Sequence, residues 1–149
     1  MINWYYKPFT ELTPHELYQI LRLRSEVFVV EQNCVFLDMD NKDTNCQHFM
    51  AWSEAGNLLA YTRIVPPSIS YDEPSIGRVV TAPAARGLKI GRELMQRSIA
   101  LTHELYGIRP IKIGAQMYLQ KFYESLGFVQ SSEMYLEDDI PHIEMILKS

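Results

Sequence analysis

Residues 84–94 read AARGLKIGREL, where glycine and positive charge crowd together at the start of an apolar helical pattern. Residues 84–97 hold four basic side chains and one acidic side chain, in a chain whose net charge is −4. Basic side chains beside the unpaired N–H groups of a helix start form a site for an anion. The glycines at 87 and 91 match neither the Walker A loop nor the dinucleotide fingerprint. The stretch alone therefore fits an anion site and a capped surface helix equally well.

Length and composition bound the class of protein. A chain of 149 residues is most simply one domain, residues 1–149, and 47% hydrophobic with 21% charged residues is typical of a soluble globular protein. The negative net charge argues against nucleic acid, and no run reaches the roughly 18 apolar residues of a membrane span. The N-terminus, MINWYYKPFTEL, has no signal-peptide pattern. We expect a cytoplasmic protein with a small anionic ligand, in which Cys34 and Cys46 are free thiols.

Hydrophobic periodicity predicts the order of helices and strands. A helix is predicted over 14–30, with Thr13 and Pro14 as its start signals, and a loop over 33–47. Two more helices are predicted, one from about residue 90 to Gly107 and one over 119–126. Strands are predicted at 3–8, 48–53, 58–65, 76–81, 111–114, 128–135 and 142–147. This order indicates one mixed sheet flanked by helices.

Two stretches flank the opening one in a specific order and spacing: RVVTAP at 78–83 and GAQMYLQKFYESLGF at 114–128. RGLKIG at 86–91 resembles the [R/Q]-x-x-G-x-[G/A] loop that binds the pyrophosphate of acetyl-CoA in the GNAT superfamily of N-acetyltransferases, and both flanks resemble that family too. RSEVFVVEQNC at 24–34 and DIPHIEM at 139–145 further resemble its ElaA-like branch. The resemblance implies a GNAT-like α/β (α+β) fold, with a mostly antiparallel, twisted sheet that is split centrally to admit acetyl-CoA.

The resemblance also implies roles for particular residues. Arg86 and the backbone N–H groups of residues 88–92 would hold the pyrophosphate, and the strand before them would pair with the pantetheine arm. That strand usually bulges, which frees an N–H, here that of Val80, to polarise the thioester carbonyl. Lys89 replaces the family's central glycine, and a negative φ would let it fit. Two roles for Lys89 stay open, a bystander and a further phosphate contact through its ammonium. The implied cofactor positions are Val79, Val80, Thr81, Arg86, Gly87, Leu88, Lys89, Ile90, Gly91, Arg92, Gln116, Phe122 and Tyr123.

Tyr123 matches the tyrosine that protonates the departing thiolate. Periodicity alone favours a core aromatic at this position, and the family resemblance favours a general acid. The general base has no comparable match, because the strand SIGRVVT before the phosphate loop carries no carboxylate. Glu31 and His48 are weak candidates for the base or for the acceptor site, and Glu73 and His142 are the remaining ones.

The predicted activity is an N-acetyltransferase that moves an acetyl group from acetyl-CoA to a primary amine of a small molecule or peptide. Because no cysteine lies in the motifs, direct attack in a ternary complex is expected. Residues 38–43 (DMDNKD) lack the glycine of an EF-hand, and Cys34, Cys46 and His48 fit no zinc spacing, so no metal is expected. The alternatives are a non-catalytic sensor or scaffold that binds CoA or acyl-CoA, a transferase of longer acyl chains, and an α/β domain that binds no CoA. No nucleic-acid or membrane partner is expected, and a homodimer is left open.

Overall fold

The computed structural model describes all 149 residues as two sheets with three α-helices. The strands are β1 (Ile2–Pro8), β2 (Gln47–Ser53), β3 (Leu58–Val65), β4 (Ser75–Thr81), β5 (Ile111–Gln116), β6 (Val129–Gln130), β7 (Tyr135–Glu137) and β8 (Ile140–Leu147). The helices are α1 (Pro14–Arg24), α2 (Gly91–Tyr106) and α3 (Gln120–Glu124). Strands β1 to β4 pair antiparallel in chain order, and β8 pairs with β5, β6 and β7. None of the helices combines the length and apolarity that a membrane crossing requires.

A gap separates the two sheets between β4 and β5. One backbone hydrogen bond, from Lys112 N to Pro74 O at 3.1 Å, joins them where both strands begin. No ladder connects the strands beyond that point, so β4 has a strand partner on its β3 side alone. The structure therefore confirms the predicted α+β fold of antiparallel strands with a central split, but the strands form two sheets and every ladder between them is antiparallel, where the sequence predicts one mixed sheet.

The two long helices cover opposite faces of the β1–β4 sheet. Successive residues of a strand point to opposite faces. Met50 of β2 and its partner Tyr61 of β3 pack in an apolar cluster with α1. The next pair, Ala51 and Ala60, packs in the larger cluster with α2 and with the second sheet. The sheet is thus buried on both faces, which fixes the position of each helix relative to the gap.

The first helix begins as predicted and ends differently. Thr13 and Glu16 form a capping box, with Glu16 N at 3.1 Å from Thr13 Oγ1 and Thr13 N at 2.8 Å from Glu16 Oε1. After Arg24 the chain continues as a π-helical segment, Ser25–Glu31. Its bonds span five residues, as in Cys34 N to Val29 O at 3.0 Å. The sequence predicts one uniform helix over 14–30, because apolar spacing over seven residues does not separate a π-helix from an α-helix.

The predicted strand over 128–135 is divided into β6 and β7. Between its pairings with β6 and with β7, strand β8 advances three residues while the opposing chain advances five. The two additional residues leave the ladder, and Glu144 N donates instead to Ser132 Oγ at 2.8 Å. The division leaves β7 as a short strand that forms a hairpin with β8 through a turn at Asp138 and Asp139.

A closed ring of three arginines and three aspartates anchors the loop between the π-helical segment and β2. All three aspartates come from this loop, and the arginines come from α1, β3 and β4. The ion pairs run Arg24–Asp38 (2.8 Å), Asp38–Arg78 (2.8 Å), Arg78–Asp40 (3.4 Å), Asp40–Arg63 (2.8 Å), Arg63–Asp43 (3.0 Å) and Asp43–Arg24 (2.8 Å). This Arg–Asp ring gives a fixed path to a segment whose sequence predicts no regular structure.

The ring also accounts for the aspartates that resemble an EF-hand. Burial acts to raise the pKa of Asp40 and of Asp43, but arginine hydrogen bonds and charge hold both pKa values below the ordinary range. These carboxylates therefore neutralise buried guanidinium groups. No group of three or more His, Cys, Asp or Glu residues is arranged to hold a metal ion.

Candidate active site

Two clefts meet at the gap between β4 and β5. The first, which we call the hairpin cavity, lies beside the β7–β8 hairpin and is lined by residues that include Cys34, Arg78, Glu137 and His142. The second, the α2 groove, runs past the start of α2 and is lined by residues that include Glu31, Val80, Arg86 and Gly91. The residues common to both linings are Phe28, Gln32, Val79, Gln116, Leu119 and Tyr123. A ligand in the α2 groove and a ligand in the hairpin cavity would therefore meet at this shared wall.

The α2 groove gathers most of the predicted cofactor positions. Those that line it are Val79, Val80, Thr81, Arg86, Gly91, Gln116, Phe122 and Tyr123. Gly87, Leu88, Lys89, Ile90 and Arg92 do not line it and lie instead on the loop and first helical turn at its end. The groove runs along the edge of β4 that has no strand partner, so an extended ligand can pair with that backbone.

Strand β4 contains the predicted bulge. Its register against β3 shifts by one residue, so Arg78 and Val79 both oppose Thr62. Arg78 has a φ of +51°, and its guanidinium joins the Arg–Asp ring through Asp38 at 2.8 Å. The ring thus holds Arg78 in place, two residues before Val80.

The loop before α2 ends in an open helix start. Pro83–Leu88 form a 3-10 turn. Ile90 directly precedes α2, and the Ile90 side chain makes no hydrogen bond that would cap the helix. The first N–H groups of an α-helix have no partner within the helix, so they point outward with the positive end of its dipole. The arrangement suits the anion predicted for this stretch.

Lys89 takes the backbone conformation that glycine favours. Its φ of 55° and ψ of 40° lie in the left-handed region, so the negative φ that would accommodate a side chain is not found. A side chain in this region costs about 1–2 kcal/mol relative to the right-handed conformation. The loop therefore keeps a turn suited to glycine although a lysine occupies the position.

Arg86 is paired with Glu31 across the α2 groove. Nη1 lies 2.8 Å from Oε2 and Nη2 lies 2.5 Å from Oε1, a bidentate contact. The hydrogen bonds from Arg86 lower the pKa of Glu31, and Glu31 in turn raises the pKa of Arg86. Glu31 lines the α2 groove and not the hairpin cavity. Its position is therefore beside the predicted cofactor loop, and its lowered pKa makes it a poor base.

His48 is not brought to either cleft. It is 1% exposed, with Nδ1 at 2.6 Å from the Tyr61 hydroxyl and Nε2 at 2.9 Å from Asp43 O. Burial lowers its pKa, which favours the neutral ring. Both nitrogens are used to connect β2 and β3 to the loop of the Arg–Asp ring, so His48 is structural. Glu73 lies outside both clefts as well.

Tyr123 stands in the wall that the two clefts share. It is 5% exposed and makes edge-on ring contacts with Phe122 and Phe128. Burial raises its pKa above the ordinary value for a phenol, so the hydroxyl is protonated at neutral pH. Tyr123 therefore packs in the core, as its periodicity predicts, and also lines both clefts.

Residues after the first helix contribute more to the site than the motifs predict. Phe28 and Gln32 line both clefts, and Gln116 Nε2 donates to Gln32 Oε1 at 3.3 Å across the gap. The π-helical segment directs this part of the chain to the gap, as such segments often do at functional sites. Cys34 lines the hairpin cavity and its thiol contacts Asp138 O at 3.4 Å. The match over 24–34 was the signal in the sequence that could have identified these residues.

The fold and the paired clefts define a GNAT acyltransferase, and the chain belongs to that family: the model described as "Acetyltransferase (GNAT) domain" matches residues 24–149. The chain is similar to Protein ElaA of Escherichia coli K12, with 40% identity over 147 residues, 97% of this chain and 95% of that protein. The crystal structure of E. coli ElaA superposes with a TM-score of 0.91 at 39% identity and covers 99% of this chain and 100% of that one. The crystal structure of an acyl-CoA N-acyltransferase from Pseudomonas aeruginosa superposes with a TM-score of 0.92 at 44% identity. The match covers 98% of this chain and 99% of that one.

The comparisons confirm the resemblance to the GNAT family and its ElaA-like branch. Membership implies an acyl-CoA cosubstrate and an acceptor that carries an amine.

Proposed function

We propose that the protein transfers an acetyl group from acetyl-CoA to a primary amine by direct attack in a ternary complex. The observation that carries this proposal is the position of Tyr123, a buried phenol in the wall common to both clefts. A proton donor placed between two binding sites suits a reaction in which a thiolate leaves one substrate as an amine on the other attacks.

Three features of the chain suit acetyl-CoA. The free edge of β4 offers backbone groups to the pantetheine arm, through Val79, Val80 and Thr81. The open start of α2 and the Arg86 guanidinium offer donors to the pyrophosphate. Bound acetyl-CoA supplies the activated thioester.

The reaction needs two contributions at the shared wall. We assign the backbone N–H of Val80 to the thioester oxygen, where it would stabilise the charge that develops during attack. The bulge at Arg78 and Val79 adjoins Val80, which itself stays in register opposite Tyr61. Tyr123 would donate its proton to the departing thiolate, and its raised pKa keeps that proton available at neutral pH. Holding both substrates at one wall adds the gain of proximity.

Calorimetry with acetyl-CoA and release of free CoA over a panel of primary amines test the proposal together. We expect saturable binding, amine-dependent release, and a loss of about 10²-fold or more in kcat for Tyr123→Phe. Tyr106→Phe is the matched control, because Tyr106 packs partly buried against the main core and lines neither cleft. Absence of binding would contradict the proposal. Binding without turnover of any amine would favour the CoA-binding sensor instead.

A further inference from the structure

The hairpin cavity carries negative charge that has no basic partner. Glu137 and Asp138 both line it, and neither forms an ion pair with an arginine or lysine. Arg78, the basic side chain in the lining, is already paired with Asp38 and Asp40 in the Arg–Asp ring. A cavity of this charge favours the protonated form of an amine. An acceptor that arrives as an ammonium ion must lose a proton before its nitrogen can attack.

His142 lies in this cavity together with Tyr123. It is 7% exposed, and its ring stacks on Tyr135 at a centroid distance of 5.9 Å. Nδ1 lies 2.7 Å from the carbonyl oxygen of Ile140. A carbonyl oxygen accepts and cannot donate, so Nδ1 carries a hydrogen. In the neutral ring the lone pair is therefore on Nε2.

The Nε2 atom of His142 faces a carboxylate. The Glu137 carboxylate lies 3.6 Å from Nε2. A lone pair facing a carboxylate is unfavourable, whereas an N–H facing it forms a charge-assisted contact. With Nδ1 already held by Ile140, protonation at Nε2 places the positive ring at ion-pair distance from the Glu137 carboxylate.

We propose that His142 is the general base that takes the proton from the acceptor ammonium, with Glu137 as a positioning residue that stabilises the resulting imidazolium. This inference rests on the proposed function and names a group that it leaves unassigned. Of the four candidates from the sequence, His142 is the one that lines the cavity. Glu31 lines the α2 groove, and His48 and Glu73 line neither cleft.

The protons balance through two groups. One proton of the ammonium passes to His142 Nε2 and then to solvent. The neutral amine attacks the acyl carbon, the C–N bond forms and the C–S bond breaks. Tyr123 gives its proton to the thiolate and recovers one from the nitrogen of the new amide. The products are the N-acyl amine, free CoA and one proton in solution.

The pH dependence of kcat/KM separates a base from a structural histidine. Besides Glu137, the titratable or charged groups that surround His142 in this cavity are Cys34, Arg78, Tyr123, Tyr135 and Asp138. Glu144, two residues along β8, is paired with Lys112 at 3.1 Å. Among these residues a histidine is the group that ordinarily titrates between pH 5 and 8, so a limb in that range reports on it.

The experiment compares the native protein, His142→Gln and Glu137→Gln, with His15→Gln as control because His15 is an exposed histidine on α1. We expect kcat/KM of the native protein to fall on the acid side, as His142 becomes protonated. His142→Gln should lose about 100-fold in rate and lose that limb, while acetyl-CoA binding is retained. Glu137→Gln should lower kcat and leave the KM for acetyl-CoA unchanged, because the imidazolium formed during the reaction is then less stabilised.

Two results would overturn the assignment. A His142→Gln variant with the native rate and pH profile overturns it and leaves the proposed function standing. A variant that is slower by the same factor at every pH, with its acid limb unchanged, shows a structural role and overturns it as well. A native protein that releases no CoA with any amine would remove the proposed function, and this inference with it.

Discussion

Arg24 offers the sharpest test of how the site is built, because it is a charged side chain with 0% exposure. Its guanidinium contacts Asp38 and Asp43 at 2.8 Å each, and it connects α1 to the loop that continues from the hairpin cavity. The change Arg24→Met keeps much of the side-chain volume and removes the charge. Two carboxylates in the Arg–Asp ring then lose one of their two arginine partners.

The magnitude follows from burial. Breaking a buried ion pair by removing one partner costs about 3–5 kcal/mol, since the other charge remains buried. Asp38 keeps Arg78 and Asp43 keeps Arg63, so the lower end applies. We expect a loss of about 3 kcal/mol in the free energy of unfolding. For a chain of this length that corresponds to about 6–12 °C in Tm.

Urea and thermal unfolding of Arg24→Met and Arg22→Met provide the assay. Arg22 lies on the same helix with its side chain 63% exposed, and it contacts Glu26 at 3.6 Å. An exposed pair of this kind contributes about 0.5 kcal/mol or less. If the two variants unfold within about 1 kcal/mol of each other, the Arg–Asp ring does not stabilise the fold as its burial indicates.

Three further predictions concern the loops and their charges. Lys89→Gly should raise the free energy of unfolding by up to about 1 kcal/mol, because glycine relieves the strain of the left-handed backbone. The control Lys121→Gly, on α3, should lower it by about 1 kcal/mol. Urea unfolding in which both variants change stability in the same direction would contradict this prediction. Glu31→Gln should tighten acetyl-CoA binding in calorimetry by about threefold because it frees Arg86, and an unchanged or weaker affinity would refute the competition between carboxylate and phosphate. Because Asp40 and Asp43 have pKa values below the ordinary 3.8 when folded, their stabilisation is present above that pH and is lost progressively as the pH falls from there toward the lower folded values. A Tm that does not fall between about pH 4 and pH 2 would contradict this last prediction.

Local signals predicted much of the fold. Strand β3 runs from Leu58 to Val65 as expected, because a turn precedes its apolar run and two prolines follow it. Thr13 and Pro14 begin α1 because the side chain and ring at these positions satisfy the helix start without other elements. The stretch at 84–94 also indicated the open start of α2, because its glycines and basic residues are close neighbours in the chain. Each of these features is determined by neighbours in the chain.

Features that depend on distant residues were not predictable in the same way. The Arg–Asp ring joins α1, β3 and β4 to one loop, and no local pattern records which aspartate meets which arginine. The pairing of His142 with Glu137 depends on the tight β7–β8 hairpin, which the sequence predicts as part of longer strands. The left-handed Lys89 contradicts local preference, because the loop geometry outweighs the cost to one residue. Burial and topology decided these features.

The most direct test of the central claim is a count of products. Native protein is mixed with acetyl-CoA and a primary amine, and free CoA and N-acetyl amine are measured in the same sample by mass spectrometry. Direct transfer at the wall shared by the two clefts predicts equal amounts of both, formed only when the amine is present. Release of CoA without the amide, or at the same rate without the amine, would contradict the claim.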